Sequence, residues 1–359
     1  MRKVRSKGKI IAAVVIVLLL TAVIGWGLFS VSVYRDNFDR RFESYEPLLL
    51  STDDFDGLAR MQYQFASDKG QLLTGYYYTS TENTVAICMI AHGLGAGHNS
   101  YMDIADYFAQ NCYAVFAYDA TGCDESGGDG LGGVPQGVID LDYAISFVEN
   151  SGNFPDLPIV LFGHSFGGYS VCSVLTYHPE VKAVIECAGC NRSSDLFEAG
   201  GRQQAGNVIF TMMPFVKLYE RIRFGKYAAN TAMDGFAASD AAVMAVHSAD
   251  DGVVPIEYGL DLYCGTYQND PRFTFLRYED RGHNYLFDDT AYLDALNAAL
   301  QTWADSLDYD RNAEENKARF AEDKAEYIRQ NLDRTKWSHM LDTEMAAQFV
   351  DFYDTAIGR

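Results

Sequence analysis

The sequence predicts an α/β domain, a mostly parallel sheet with helices on both faces, set behind an N-terminal apolar helix. Three observations carry that prediction. Short strand-like runs alternate with helical patterns between about residues 60 and 300. Several strand runs are almost continuously apolar, as strands covered on both faces are. The chain has 359 residues, 48% hydrophobic and 21% charged, which excludes wholesale disorder and allows one large domain with additions.

The first element is the uncharged run Ile10–Tyr34. About 20 helical residues cross a hydrocarbon core, so the run is long enough to span a membrane. It exceeds the roughly 7–15 apolar residues of a cleaved signal, and no small-x-small cleavage site or lipid-bearing Cys follows. Residues 1–34 are therefore expected to be a basic flank and a single transmembrane anchor. Arg2, Lys3, Arg5, Lys7 and Lys9 precede the run, which puts that side in the cytoplasm and the body outside it at the cell membrane. Arg35, Arg40 and Arg41 on the far side weaken the bias.

Formal charge is −21, and without the five leading cations the body is five units more negative still. A nucleic-acid binder needs a basic footprint, so that class is excluded. Residues 35–58 are polar and acidic around Leu48-Leu49-Leu50 and form a juxtamembrane linker. Residues 59–302 carry the alternating pattern. Met61–Ala66 and Leu72–Tyr78 read as a hairpin around Asp68-Lys69-Gly70. Thr84–Ala91, Tyr113–Tyr118, Ile159–Phe162, Ala183–Glu186, Ala242–His247 and Phe273–Arg277 read as further strands. Tyr101–Gln110, Gly137–Glu149, Phe166–Tyr177 and Ile256–Tyr263 read as helices. Residues 192–240 hold no strand pattern and read as an inserted helical cap, whose Met212, Met213, Phe215 and Phe224 either line a pocket or pack. Residues 303–359 read as a charged helical extension that docks on the body through Phe320, Tyr327, Ile328, Leu332 and Trp337.

Seven scattered cysteines leave one unpaired and give no disulfide framework. Cys187-Ala-Gly-Cys190 lacks a second ligand pair for zinc and a thioredoxin-like setting for redox work, and whether the two thiols pair stays open.

The chemistry sits at strand ends. Gly163-His164-Ser165-Phe166-Gly167 joins a strand to a helix. A nucleophile on so tight a turn needs flanking residues without side chains, which Gly163 and Gly167 supply. A serine hydroxyl needs a base, and His283 follows the last strand after a short loop. The base needs an orienting carboxylate, and Asp251 lies just past Ala242–His247. The order Ser165, Asp251, His283 is that of one hydrolase architecture. His92-Gly93-Leu94-Gly95 follows Thr84–Ala91 and offers the Leu94 N–H, beside that of Phe166, to bind an oxyanion.

On these residues the sequence resembles the α/β-hydrolase family, and within it the serine aminopeptidase/monoglyceride-lipase-like branch, over roughly residues 60–302. The matching motifs are His92-Gly93, Gly163–Gly167, Asp251–Pro255 as D-x-x-V-P, Gly282-His283, and the loop Asp119–Gly128, in which Asp124 stands where Gly is usual. His247-Ser248 departs from the family's His-Gly. The resemblance implies an eight-stranded sheet, a Ser165–Asp251–His283 triad and serine hydrolase activity without metal or organic cofactor. It leaves the substrate open among small-molecule esters, lipids and short peptides. A carboxylic ester is the first choice. A peptidase would need carboxylates for an amine, with Asp195, Glu198 and Asp234 available in the cap. A non-catalytic binding module on the same scaffold is the third reading.

Asp250 adjoins Asp251, but D-x-x-V-P favours Asp251. Glu186 is a more distant candidate acid. His92 and His164 are expected to shape the site, His247 to be structural, and His98, His178 and His339 to lie at the surface or on helices. Oligomeric state is not readable.

Overall fold

The computed structural model describes residues 7–359, so Arg2, Lys3 and Arg5 of the expected cytoplasmic flank lie outside the described residues. Helix α1 runs Lys7–Phe38, and from Gly8 it is long and apolar enough to cross a membrane. No face of its first half is covered by protein.

Eight strands follow: β1 Ala59–Ala66, β2 Leu72–Thr79, β3 Ala86–Ala91, β4 Tyr113–Tyr118, β5 Ile159–His164, β6 Ala183–Cys187, β7 Ala242–Ser248 and β8 Phe273–Tyr278. Each expected strand is present, its ends moved by two residues at most. They form one sheet in the order β1-β2-β4-β3-β5-β6-β7-β8. β2 is antiparallel to β1 and β4, and β4 through β8 are parallel. The parallel strands are joined by helical crossovers, which cover both faces. Alternation along β3 shows the two cores. Ile87, Met89 and Ala91 join one, while Ala86, Cys88 and Ile90 join the other.

The helices are α2 Met102–Gln110, α3 Gln136–Asn150, α4 Phe166–Ser173, α5 Ser193–Ala205, α6 Ile209–Phe224, α7 Ala232–Ala238, α8 Leu260–Tyr267, α9 Ala291–Asp305, α10 Lys317–Asn331, α11 Arg334–Trp337 and α12 Thr343–Ile357. Two expected helices are corrected. Phe166–Tyr177 is α-helical only to Ser173 and tightens into a 3-10 turn at Val174–Thr176. Ile256–Tyr263 breaks at Gly259, where a Cβ would stand 2.5 Å from the Gly189 carbonyl oxygen, so the chain turns there before α8 begins.

The cap segment folds as α5, α6 and α7. Met212, Met213 and Phe224 are core residues, and Phe215 lies against α1 at Gly27. These side chains pack rather than line a pocket. At the C-terminus, α12 enters the core beside α2 with Met345, Ala346, Phe349 and Tyr353 buried, none of them singled out by sequence. The Tyr353 hydroxyl donates to the Leu161 carbonyl of β5, 2.6 Å away.

Candidate active site

β5 ends at His164 and α4 starts at Phe166, so Ser165 occupies the turn between them with φ 57° and ψ −116°. A non-glycine residue at positive φ is strained and persists where the surroundings enforce it. Here the enforcement is close packing. A Cβ on Gly163 would stand 2.4 Å from the Gly167 oxygen, and one on Gly167 would stand 1.9 Å from the Ala91 oxygen. The Ser165 N–H is held by the Cys187 carbonyl at 2.8 Å.

The structure brings three of the expected residues together. His283 Nε2 is 2.9 Å from Ser165 Oγ, and His283 Nδ1 is 2.7 Å from Asp251 Oδ2. An ionised carboxylate only accepts, so Nδ1 carries the proton and the Nε2 lone pair faces the serine hydroxyl. Asp251 Oδ1 accepts from the backbone N–H groups of Val253 and Val254, each at 2.8 Å. His247 Nε2 lies 3.2 Å from Asp251 Oδ2 and 2.9 Å from the Val254 oxygen. Burial opposes ionisation of Asp251, but the hydrogen bonds from His247 and His283 outweigh it and hold the carboxyl well below its ordinary range. Asp250 instead accepts from Ser248 Oγ and the Gly282 N–H, outside the line to His283.

The Leu94 and Phe166 N–H groups have no acceptor among the described residues. Gly93 and His92 set the loop that carries Leu94. His92 Nε2 accepts from the Ala120 N–H at 2.9 Å, which leaves Nδ1–H to donate to the Gly93 oxygen at 2.8 Å. A Cβ on Gly93 would stand 2.9 Å from Tyr101 Oη. The Gly93 N–H donates to Tyr101 Oη, and Tyr101 Oη is 2.9 Å from His164 Nδ1. Burial drives the His164 pKa down to about 3, with His283 adding to the effect, so this imidazole is neutral at physiological pH.

Ser165 and His283 open onto a cavity of about 290 Å³. Its walls are the loop from Gly93 to Tyr101, residues Asn284–Asp288, the linker at Ser44–Leu50, and Trp337 and Met340 of the extension. Nothing from residues 192–240 reaches it. Sequence reasoning missed this wall because it is assembled across the chain. Trp337 Nε1 donates to the Leu48 oxygen at 2.8 Å, Arg334 pairs with Asp54, and Arg329 pairs with Glu46. The cap carboxylates do not face the cavity either. Asp195 caps α5 at the Arg192 N–H, Asp234 caps α7 at Thr231, and Glu198 accepts from Tyr258.

Two expectations about outlying residues are settled by side-chain partners. His98 opens a one-turn 3-10 helix, as the helix reading allowed, but is buried; His178 is buried as well, and His339 is exposed. His98 Nδ1 is 2.8 Å from Asp119 Oδ1 and its ring stacks on Tyr76, while His178 lies between Asp142 and Glu180. Asp124, the departure from Gly in its loop, has φ 35° and binds Ser44 through both carboxylate oxygens, tying the linker to the domain. Cys187 and Cys190 are free, buried thiols, and burial pushes both well above the ordinary thiol range.

Comparison with known proteins bears on the fold. Residues 82–251 match the family model described as serine aminopeptidase, S33. The match takes in Ser165 and Asp251 and ends before His283. No curated protein matches the chain. Among solved structures, an esterase from Pyrococcus furiosus aligns with a TM-score of 0.53 at 14% identity, over 70% of this chain and 92% of that one. An acylaminoacyl peptidase from Pyrococcus horikoshii aligns with a TM-score of 0.50 at 15% identity, over 64% of this chain and 38% of that one. At such identities the likeness is one of fold. The sheet order, the strand–Ser165–helix turn and the likeness to these structures together give the chain an α/β-hydrolase fold, and residues 82–251 are similar to the S33 serine aminopeptidase family.

Proposed function

We propose that this protein is a membrane-anchored serine hydrolase that cleaves carboxylic esters. The observation that carries the reading is the hydrogen-bonded series Asp251–His283–Ser165 opening onto a cavity beside two backbone N–H groups without acceptors.

In this reading Ser165 Oγ attacks the ester carbonyl carbon while His283 Nε2 takes the hydroxyl proton. Asp251 holds the imidazole in the required tautomer and stabilises its charged form. The oxyanion accepts from Leu94 and Phe166, each donor contributing about 2.7–4 kcal/mol in comparable sites. Collapse breaks the ester bond, and the imidazolium returns its proton to the leaving alcohol. Water, deprotonated by His283, then attacks the acyl-enzyme and releases the acid and Ser165. This chemistry calls for no metal or organic cofactor.

Leu48, Leu49, Leu50, Trp337 and Met340 give the cavity an apolar side suited to an acyl chain. The fold shared with an esterase is consistent with that choice. A peptidase is the second reading, favoured by one observation: Asp103 and Asp288 line the same cavity and could hold an amine. Helix α1 supplies the anchor, and the cationic residues before it put the catalytic domain outside the cytoplasm.

The test is turnover by the full-length protein of p-nitrophenyl esters against aminoacyl p-nitroanilides, with Ser165→Ala alongside. Ester turnover lost in the variant supports the reading. Turnover of anilides alone moves the chain to the peptidase reading, and turnover retained in Ser165→Ala overturns both.

A further inference from the structure

The span and the cap are packed as one unit. Trp26 Nε1 lies 3.1 Å from Thr211 Oγ1, and a Cβ on Gly27 would stand 2.7 Å from the Phe215 ring. Further along, Tyr34 donates to Glu220, and Asp39 faces Arg223 at 3.8 Å. These partners advance together on both helices, so the second half of α1 and α6 run parallel and nearly in step.

The large apolar side chains that α1 leaves exposed begin at Ile10 and end at Phe29. That stretch is about 20 residues, roughly 30 Å of helix, which is the thickness of a bilayer's hydrocarbon core. Trp26 falls inside it, within a turn of its outer end. Whatever stands level with Trp26 falls inside it as well, which includes Thr211 and the turn Gly206–Val208 before α6. Val208 and Phe210 at that turn are 51% and 45% exposed. The Arg202 guanidinium sits 6.0 Å over the Phe210 ring and donates to Tyr258 Oη at 3.2 Å, which places a cation beside that turn. Lys217 of α6 follows within a turn of the level of Phe29, at the depth of the headgroups.

We propose that the start of the cap, Val208 and Phe210 at the turn between α5 and α6, is seated in the lipid bilayer beside the span. The protein then holds the membrane at two points, and the cap serves to dock the domain instead of lining its cavity. This rests on reading α1 as a membrane anchor.

The test uses the full-length chain in phosphatidylcholine–phosphatidylglycerol vesicles, with Cys112 and Cys264, the two part-exposed thiols, replaced by Ser. One nitroxide at a time is attached through Val17→Cys, Val208→Cys, Phe210→Cys or Ile222→Cys. Collision with oxygen reports lipid, and collision with a water-soluble nickel chelate reports solvent. Positions 17, 208 and 210 should show an oxygen-to-nickel ratio several-fold above that at 222, which lies about 18 Å further along α6. Ratios at 208 and 210 as low as at 222, with 17 in lipid, would overturn the proposal while leaving the anchor. A solvent-like ratio at 17 would overturn the anchor and the proposal together.

Discussion

His164 holds the backbone of His283: its Nε2–H donates to the His283 carbonyl oxygen over 2.9 Å. Because a carbonyl only accepts, the His164 Nδ1 of this neutral ring accepts in turn, from the Tyr101 hydroxyl. Tyr101 Oη also accepts the Gly93 N–H. One run of hydrogen bonds thus connects the loop bearing Leu94 to the residue proposed as base.

Tyr101→Phe leaves the buried Gly93 N–H and His164 Nδ1 without partners, a cost of about 1–3 kcal/mol for such groups. If about 1.4 kcal/mol of that is felt in the transition state, kcat falls about tenfold. Steady-state kinetics should show the loss in kcat with KM nearly constant. An unchanged kcat in a folded variant would make the run structural only.

Asp251→Asn should lower kcat roughly 10³–10⁴-fold, because the amide no longer fixes the imidazole tautomer. Asp250→Asn should cost less than about tenfold, since Asp250 reaches His283 only through the Gly282 N–H. Parallel kinetics on the two variants decide which aspartate orients the base, and the reverse order would assign the role to Asp250.

The cavity wall gives a specificity prediction. Trp337→Ala removes a wall and the hydrogen bond that holds Leu48. KM for a hexanoate ester should rise several-fold, while KM for an acetate ester moves little. Equal effects on both would mean that the acyl chain lies elsewhere.

Glu186 gives a pH prediction. It is buried at the end of β6, with Oε2 unpartnered, and burial raises its carboxyl to about 7. A raised carboxyl pKa means that the folded state loses stability as pH climbs from the unfolded value through the folded one. Glu186→Gln should therefore match wild type near pH 4.5 and exceed it by at most about 3 kcal/mol above pH 7. Thermal melts at pH 4.5 and 8 measure the difference. A variant less stable than wild type at pH 8 would show that the Glu186 charge is compensated, with His247 as the nearest candidate.

The inner strands were legible because burial on both faces leaves a continuous apolar run in the sequence, and the tightest signal, Gly163–Gly167, is local to one turn. Ser165, Asp251 and His283 could be proposed for the same reason: each stands just beyond a readable strand. The cavity walls were not legible. Leu48 and Trp337 meet through contacts nearly 290 residues apart, set by Arg334, Asp54 and a backbone carbonyl, and no periodicity records them. The burial of His98 depends likewise on Asp119, beyond the end of a different strand. A helical extension was legible, but the burial of α12 was hidden by its setting, an apolar stripe at the end of a strongly charged segment.

Whether Ser165 is an activated nucleophile is tested by labelling the intact, full-length protein with a fluorophosphonate, the adduct located by mass spectrometry. One adduct is expected, on Ser165, absent in Ser165→Ala and severely slowed in His283→Ala, with circular dichroism unchanged in both. A folded wild-type protein that takes no label, or a label on another serine that persists in Ser165→Ala, would contradict it.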